Sequence, residues 1–254
     1  MVVEFNLFEN NWLHAQPGYA ILFTPRNQEG ACTWCVVEDV TFQYNIVRNS
    51  SAGINVTGYD WPNVSAQTNR IRIWQNVFHG ITQSLGGNGW FLLVGDSPRD
   101  VVVDHNTVDF DGSAAVYAHG GTATAPAAIG GFQFTNNAMR HNQYGLNGAY
   151  FSWGNGVLAA YFPASVVTAN WLQGGTASRY PAGNYFSGTF AGAFADAPAG
   201  DYRLSADSPL AGRATDGTNI GADMGRLLGG IDGVVEGRGV PRPTAPANFR
   251  IITR

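Results

Sequence analysis

Residues 101–110 read VVVDHNTVDF: an apolar strand, a polar pair, an asparagine at 106, then a second strand of alternating character. The same arrangement recurs through the first two thirds of the chain. VVEF runs into Asn6 and LF, TFQY into Asn45 and IV, and IRIWQ into Asn76 and VF. FQFTN runs into Asn137 and AM, and VVTA into Asn170 and WL. The six asparagines are spaced by 39, 31, 30, 31 and 33 residues. A repeat of that period predicts a stacked solenoid in which each unit covers only its neighbours.

Within one repeat the pattern divides into three short strands. One precedes the asparagine, as at Val101 to Asp104, and one follows it, as at Thr107 to Phe110. A third comes after a Gly/Ser/Asn turn, as at Ala114 to His119. Period-2 alternation marks them as strands, and no segment carries a long helical period; Val157 to Phe162 alone suits a short turn of helix. Three parallel strands per coil specify an all-β, right-handed parallel β-helix of about six three-stranded rungs. At the sharp turn an asparagine can bond its equivalent one rung away, as in amide ladders of stacked strands, and it tolerates left-handed backbone. The plain alternative, that Asn is common in turns, does not account for six hits at one register.

On this repeat and its asparagines, roughly residues 2–175 resemble the pectate-lyase-like right-handed β-helix superfamily of secreted bacterial proteins. The stretch Asp201-Tyr202-Arg203-Leu204, Ser208-Pro209-Leu210, Asp216-Gly217 and Ile220-Gly221-Ala222-Asp223 also looks like the segment that often closes such proteins. The resemblance implies a fold more than an activity, because the superfamily holds lyases, hydrolases, esterases and adhesins. It implies a substrate groove on the third-strand face, walled by loops. Neither paired-Asp polygalacturonase motifs nor an Arg-centred pectate-lyase signature is present.

Composition narrows the classes. The chain has 254 residues, 44% hydrophobic and only 13% charged, where about a quarter is usual. A net charge of −4 with no basic run argues against a nucleic-acid partner. All 14 basic residues are arginine, which removes lysine as base or Schiff-base former. No apolar stretch approaches membrane-spanning length. Met1-Val2-Val3-Glu4 opens inside a repeat strand without signal peptide or cap, so the expectation is that the ladder was once longer. The expected organisation is rungs over 1–175, an irregular capping segment of the same domain over 176–238, and a Pro-rich linker with the possible start of a further module over 239–254. The capping segment is expected to lose the ladder and cover the last rung.

Aligning the repeats creates columns of residues about 4.8 Å apart. Three positions past each asparagine stand Glu9, Arg48, His79, Asp109, Arg140 and Gln173. Alternating charge reads as an ion ladder that fixes register; a catalytic strip with His79 or an arginine of the column as proton shuttle is the other reading. On the third strand, alternation sends Ile54, Val56, Val116 and Ala118 inward and Asn55, Thr57, Tyr117, His119 and Asn147 outward. Arg26, Asp60, Asp96 and Trp153 follow at the strand ends, with Tyr59 and Trp61 beside Asp60. Long loops at Pro25–Val37, Tyr59–Asn69 and Trp153–Ala164 wall this edge.

These residue types suit a saccharide. Tyr59, Trp61, Tyr117 and Trp153 can stack on sugar rings, while Asn55 and Asn147 bond hydroxyls. Asp60 and Asp96, on consecutive rungs, would stand roughly 5 Å apart, the spacing of a retaining glycosidase pair. Alternatively they hold Ca²⁺, the one cofactor left open, and Arg26 or His119 abstracts a proton next to a uronate carboxylate. Each aspartate can equally be a turn former, and His119 a surface histidine. Cys32-Thr33-Trp34-Cys35 lacks the helix a redox motif needs; a zinc site would have only His14 to recruit, and a local disulfide fits an exported protein. The expected function is therefore an extracellular or periplasmic polysaccharide lyase or glycoside hydrolase, monomeric, with catalytic Asp60, Asp96, His119 and Arg26. A carbohydrate-binding or adhesion module, or a β-helix that stacks end to end, is the alternative.

Overall fold

The computed structural model describes residues 1–11, 18–61 and 63–234. His14 and the linker expected over 239–254 lie outside the described residues. Strands Val2–Glu4, Glu38–Gln43, Asn69–Trp74, Arg99–Asp104, Gln133–Thr135 and Val166–Thr168 form a first sheet. Leu7–Glu9, Ile46–Ser50, Val77–Ile81, Thr107–Phe110, Ala138–Arg140 and Trp171–Gln173 form a second. Tyr19–Phe23, Ala52–Thr57, Leu92–Gly95, Ala114–His119 and Gly145–Gly148 form a third. In all three sheets every strand pairs in parallel with its equivalent one repeat away, so each repeat is one turn of a right-handed parallel β-helix.

The core is three apolar columns that follow from alternation. Register places Phe42, Ile73, Val103, Phe134 and Val167 in line on the first sheet. The second contributes Val47, Phe78, Val108, Met139 and Leu172, and the third Ile54, Leu92, Val116 and Leu146. All are buried, each burial contributing about 1.5–3 kcal/mol. Their first-rung equivalents Val3, Phe8 and Ile21 are half-buried, because nothing stacks beneath them among the described residues. At the other end the helix Asn155–Tyr161 lays buried Val157, Leu158 and Tyr161 over the third sheet, where the short helical turn was expected.

The asparagine ladder is present and runs one step further than the repeats indicate. The backbone N–H and Nδ2 of Asn6 both donate to Asn45 Oδ1 at 3.0 Å. Asn45 donates to Asn76, Asn76 to Asn106, Asn106 to Asn137 and Asn137 to Asn170, all within 2.9–3.1 Å. Asn170 donates in the same way to Asn184, at 3.0 Å, so the chain after Asn170 keeps the ladder for one more rung. The left-handed residue of each turn is not the asparagine but the one before it. Phe5, Tyr44, Gln75, His105, Asn136 and Ala169 have φ between 51° and 58°. The asparagine is selected for its amide, which satisfies groups of two rungs, and the strain falls on its neighbour.

The C-terminal segment corrects the expectation of a simple end cap. From rung six it turns back and runs down the ladder corner to rung one. Trp171 donates its indole N–H to Ser187 O at 2.7 Å and packs on Phe190 and Phe194. Asn136 Oδ1 accepts from Thr215 N, Thr107 Oγ1 from Ala222 N and Gln75 Oε1 from Asp223 N. Arg226 lies 4.5 Å over the Tyr44 ring, and Gly230 leaves no room for a Cβ beside Phe5. Along this strap Leu210, Ile220 and Leu227 form a second apolar core with Ile46, Val77 and Ala138. His105 is buried beneath it, its Nδ1 3.0 Å from Asp104 Oδ1 and its Nε2 3.2 Å from Thr218 Oγ1 and 3.6 Å from Asp216 Oδ1.

Candidate functional site

The third sheet is the side that the strap leaves open. Its outward column reads Leu22, Asn55, Leu93, Tyr117 and Asn147 by register. Tyr117 stacks flat on Trp90, ring centroids 4.1 Å apart, and Trp90 donates to Ser113 Oγ at 3.2 Å. Asn55 accepts from Thr57 Oγ1 at 3.1 Å. These side chains make a shallow face. A concave site lies beyond their strand ends, where the loops rise; a second, of about 550 Å³, lies where the strap crosses Tyr44, Trp74 and Gln75.

Beyond the strand ends a pocket of about 520 Å³ is lined by Tyr59, Trp61, Val64, Asp96, Ser97, Gly121, Thr122 and Ala127. A smaller one of about 180 Å³ adjoins it, sharing Tyr59, Trp61 and Asp96 and adding Arg26, Thr57 and Asp60. Arg26, Asp60, Asp96, Tyr59 and Trp61 are thus brought together across successive rungs. Asn55, Tyr117, Asn147 and His119 stand outside the pocket linings, His119 at the strand end where its carbonyl accepts from Asp96 N. Trp153 is also outside them: it packs edge-on to His141 at 5.2 Å, lies 6.2 Å from the Tyr180 ring, and carries Arg179 on its face. Its role is to close the helical end rather than to offer a free ring.

The two aspartates differ sharply. Asp60 is buried, and both its oxygens are occupied. Oδ1 accepts from Arg26 Nη1 and from Trp61 N, each at 2.9 Å, and Oδ2 accepts from Asn27 N at 2.6 Å. The Asn27 N–H, then the Arg26 and Trp61 donors, hold its carboxyl below the usual carboxylate range. Asp60 is therefore the bracket that ties the loop of one rung to the loop of the next. Asn27 Nδ2 reinforces it by donating to Val64 O at 2.9 Å.

Asp96 is half-buried and receives no hydrogen bond from the described residues. Among the described residues it stands on the one pair of consecutive non-glycine residues with left-handed backbone, φ 55° at Asp96 and 60° at Ser97. Such strain persists only where the surroundings hold it, and here Asp96 N donates to His119 O at 3.3 Å. His119 follows from the same register. It pairs with Gly95, and a Cβ on Gly95 would come within 2.4 Å of its Nε2, so the imidazole lies directly over the glycine. The half-exposed ring has no hydrogen-bond partner among the described residues.

This arrangement does not suit Ca²⁺. The ion takes six to eight oxygens, whereas the oxygens of Asp60 are committed to N–H donors and no group of three or more His, Cys, Asp or Glu converges among the described residues. The retaining-pair reading meets the same obstacle, because a carboxylate held by three donors is a poor nucleophile. Sequence reasoning missed the segment Gly120–Ala127, whose turn is closed by Thr122 N to Ala125 O at 2.9 Å and lines the pocket of about 520 Å³. The Gly120-Gly121 pair, both with positive φ, was the available signal.

The charged column on the second sheet is structural. Glu9 pairs with Arg48 at 2.6 Å and Asp109 with Arg140 at 2.9 Å. His79 is covered by Tyr202, 5.6 Å away, and burial followed by the nearby Arg48 pushes its imidazole below the ordinary histidine value. Cys32 and Cys35, whose oxidation the sequence left open, form a disulfide. Among the described residues no helix is long and apolar enough to cross a membrane. No family model, no curated protein and no solved structure matches this chain.

Proposed function

We propose that the chain is an extracytoplasmic polysaccharide-acting protein that holds a glycan in the Trp61–Asp96 pocket and cleaves it by elimination. The observation that carries this reading is the contrast between a carboxylate without donors and a carboxylate saturated with them. Two-carboxylate hydrolysis needs both groups to reach the sugar, whereas Asp60 is buried with both oxygens hydrogen-bonded. Elimination needs one base, one proton donor and a cation near the uronate carboxylate. Asp96 and His119 supply the first two, one taking the proton beside the carboxylate and the other protonating the leaving oxygen. Arg26 meets Asp60 through Nη1 alone and keeps its other N–H groups for an anion, its side chain 75% exposed.

Trp61, 78% exposed, and Tyr59 give the sugar a stacking surface. The Cys32–Cys35 disulfide supports an oxidising compartment. The test is incubation with a panel of acidic and neutral polysaccharides, following ultraviolet absorbance of unsaturated products and release of reducing ends. Elimination gives both signals, and Asp96→Asn should reduce the rate about 100-fold or more. Reducing ends without the absorbance would make the protein a hydrolase. Binding without turnover would make it a carbohydrate-binding module on the same groove.

A further inference from the structure

The motif Cys32-Thr33-Trp34-Cys35 has no part in the chemistry above, yet it lies in the loop that the Asp60 bracket fastens to the pocket wall. Trp34 is 73% exposed. With Val36, Trp61 and Val64 it makes four of the exposed large apolar side chains, all on two adjacent loops. Single exposed apolar residues are ordinary, whereas a group of them beside a cleft marks a contact surface.

The exposure of Trp34 is not that of a loose loop. The disulfide closes the turn, and Cys35 N donates to Cys32 O at 3.1 Å. On one side Cys32 N donates to Asn27 Oδ1, and Asn27 is itself held by Asp60. On the other side Ala66 N donates to Cys35 O at 3.0 Å and Asn69 N to Val37 O at 3.1 Å. The backbone that carries the indole is thus tied both to Asn27 and to the loop of Trp61. A rigid aromatic ring loses little freedom when a ligand stacks on it, which is how a small surface gains affinity. The acidic residues that flank the turn in sequence are Glu29, Glu38 and Asp39, while Arg26 is paired with Asp60 and Arg70 with Glu38 and Asp39. An anionic bilayer or a second uronate is therefore unwelcome at Trp34, and an uncharged sugar ring is not.

We infer that the disulfide-closed turn presents Trp34 as a second stacking platform for an uncharged unit of the same glycan, so that the groove selects a mixed acidic and neutral polymer over a short oligosaccharide. This rests on the polysaccharide reading above.

The experiment compares wild type, Trp34→Ala and Cys32→Ser/Cys35→Ser for binding to the best polysaccharide of the panel and to its di- or trisaccharide. Because Trp34 is exposed, its removal should leave melting unchanged. Stacking of one ring predicts about a tenfold loss of polymer affinity in Trp34→Ala, with oligosaccharide affinity unaltered. The double cysteine variant should lose less, because the ring remains but is unbraced. If wild type binds no glycan, the parent reading fails and this inference with it. If wild type binds and Trp34→Ala binds the polymer equally well, this inference alone is overturned. Loss of binding to phosphatidylserine vesicles on Trp34→Ala, with glycan binding intact, would reassign the indole to a membrane surface and also overturn it.

Discussion

Two aspartate–histidine pairs stand on opposite sides of this solenoid and are treated in opposite ways. Asp104 and His105 lie at the ladder corner, under the strap. Thr135 and Asn136 donate to Asp104 at 2.8 Å, and Asp216 and Thr218 of the strap meet the imidazole. Asp96 and His119 lie on the open side, in strained backbone and over a glycine, and no described residue donates to either side chain. The same residue types are therefore structural where the fold supplies partners and available for chemistry where it does not. Charge and residue type alone do not separate a site from a scaffold; the partner count does.

The sharpest way to break the comparison is at the corner itself. Asn106→Ala removes the acceptor shared by the backbone N–H and Nδ2 of Asn76, and leaves Asn137 Oδ1 with only the backbone N–H of residue 106 as donor from that rung. Urea unfolding should show a loss of about 3–5 kcal/mol, since several buried groups lose partners together. Asn55→Ala on the open face should change stability by less than about 0.5 kcal/mol in the same assay.

Next in size is His105→Gln, a residue that Gln75 already accommodates at the equivalent turn. Losing the contacts between rung and strap should cost about 1–2 kcal/mol by thermal or urea unfolding, with glycan binding unchanged. His119→Gln should do the reverse, abolishing turnover while the melting temperature holds.

The smallest effect is that of pH. Burial alone would raise the Asp104 carboxyl, but the His105 imidazole 3.0 Å away and hydrogen bonds from Thr135 and Asn136 outweigh it and hold it below the ordinary range. Thr218 holds Asp216 low as well. A depressed carboxyl stabilises the fold above its unfolded value of about 4, and that contribution is lost as pH falls through the folded value. Melting temperature should therefore drop below about pH 4, and Asp104→Asn should flatten that drop. An unflattened profile would show that the corner is not held by these carboxylates.

The asparagine ladder was legible because an amide that serves two rungs cannot be replaced by another side chain, so it recurs at fixed spacing. The residue before it was not, since Phe5, Tyr44, Gln75, His105, Asn136 and Ala169 share only backbone. Asn184 was hidden because it follows Asn170 by 14 residues instead of a full turn. The strap was illegible because its contacts, such as Asp223 to Gln75 across 148 residues, come from shape and not from any local period. At the site, convergence of Arg26, Asp60 and Asp96 could be read from the repeat alignment. The fate of Asp60 could not, because its strongest donor is a backbone N–H, that of Asn27, which no side-chain pattern announces.

The central claim is that the open third-sheet side takes the glycan and the strapped corner only holds the fold. Hydrogen exchange with and without the bound polysaccharide tests this most directly. Protection should rise in residues 59–69, 95–98 and 120–127 and stay constant over 186–230. New protection confined to 186–230, with none around Trp61 and Asp96, would contradict it.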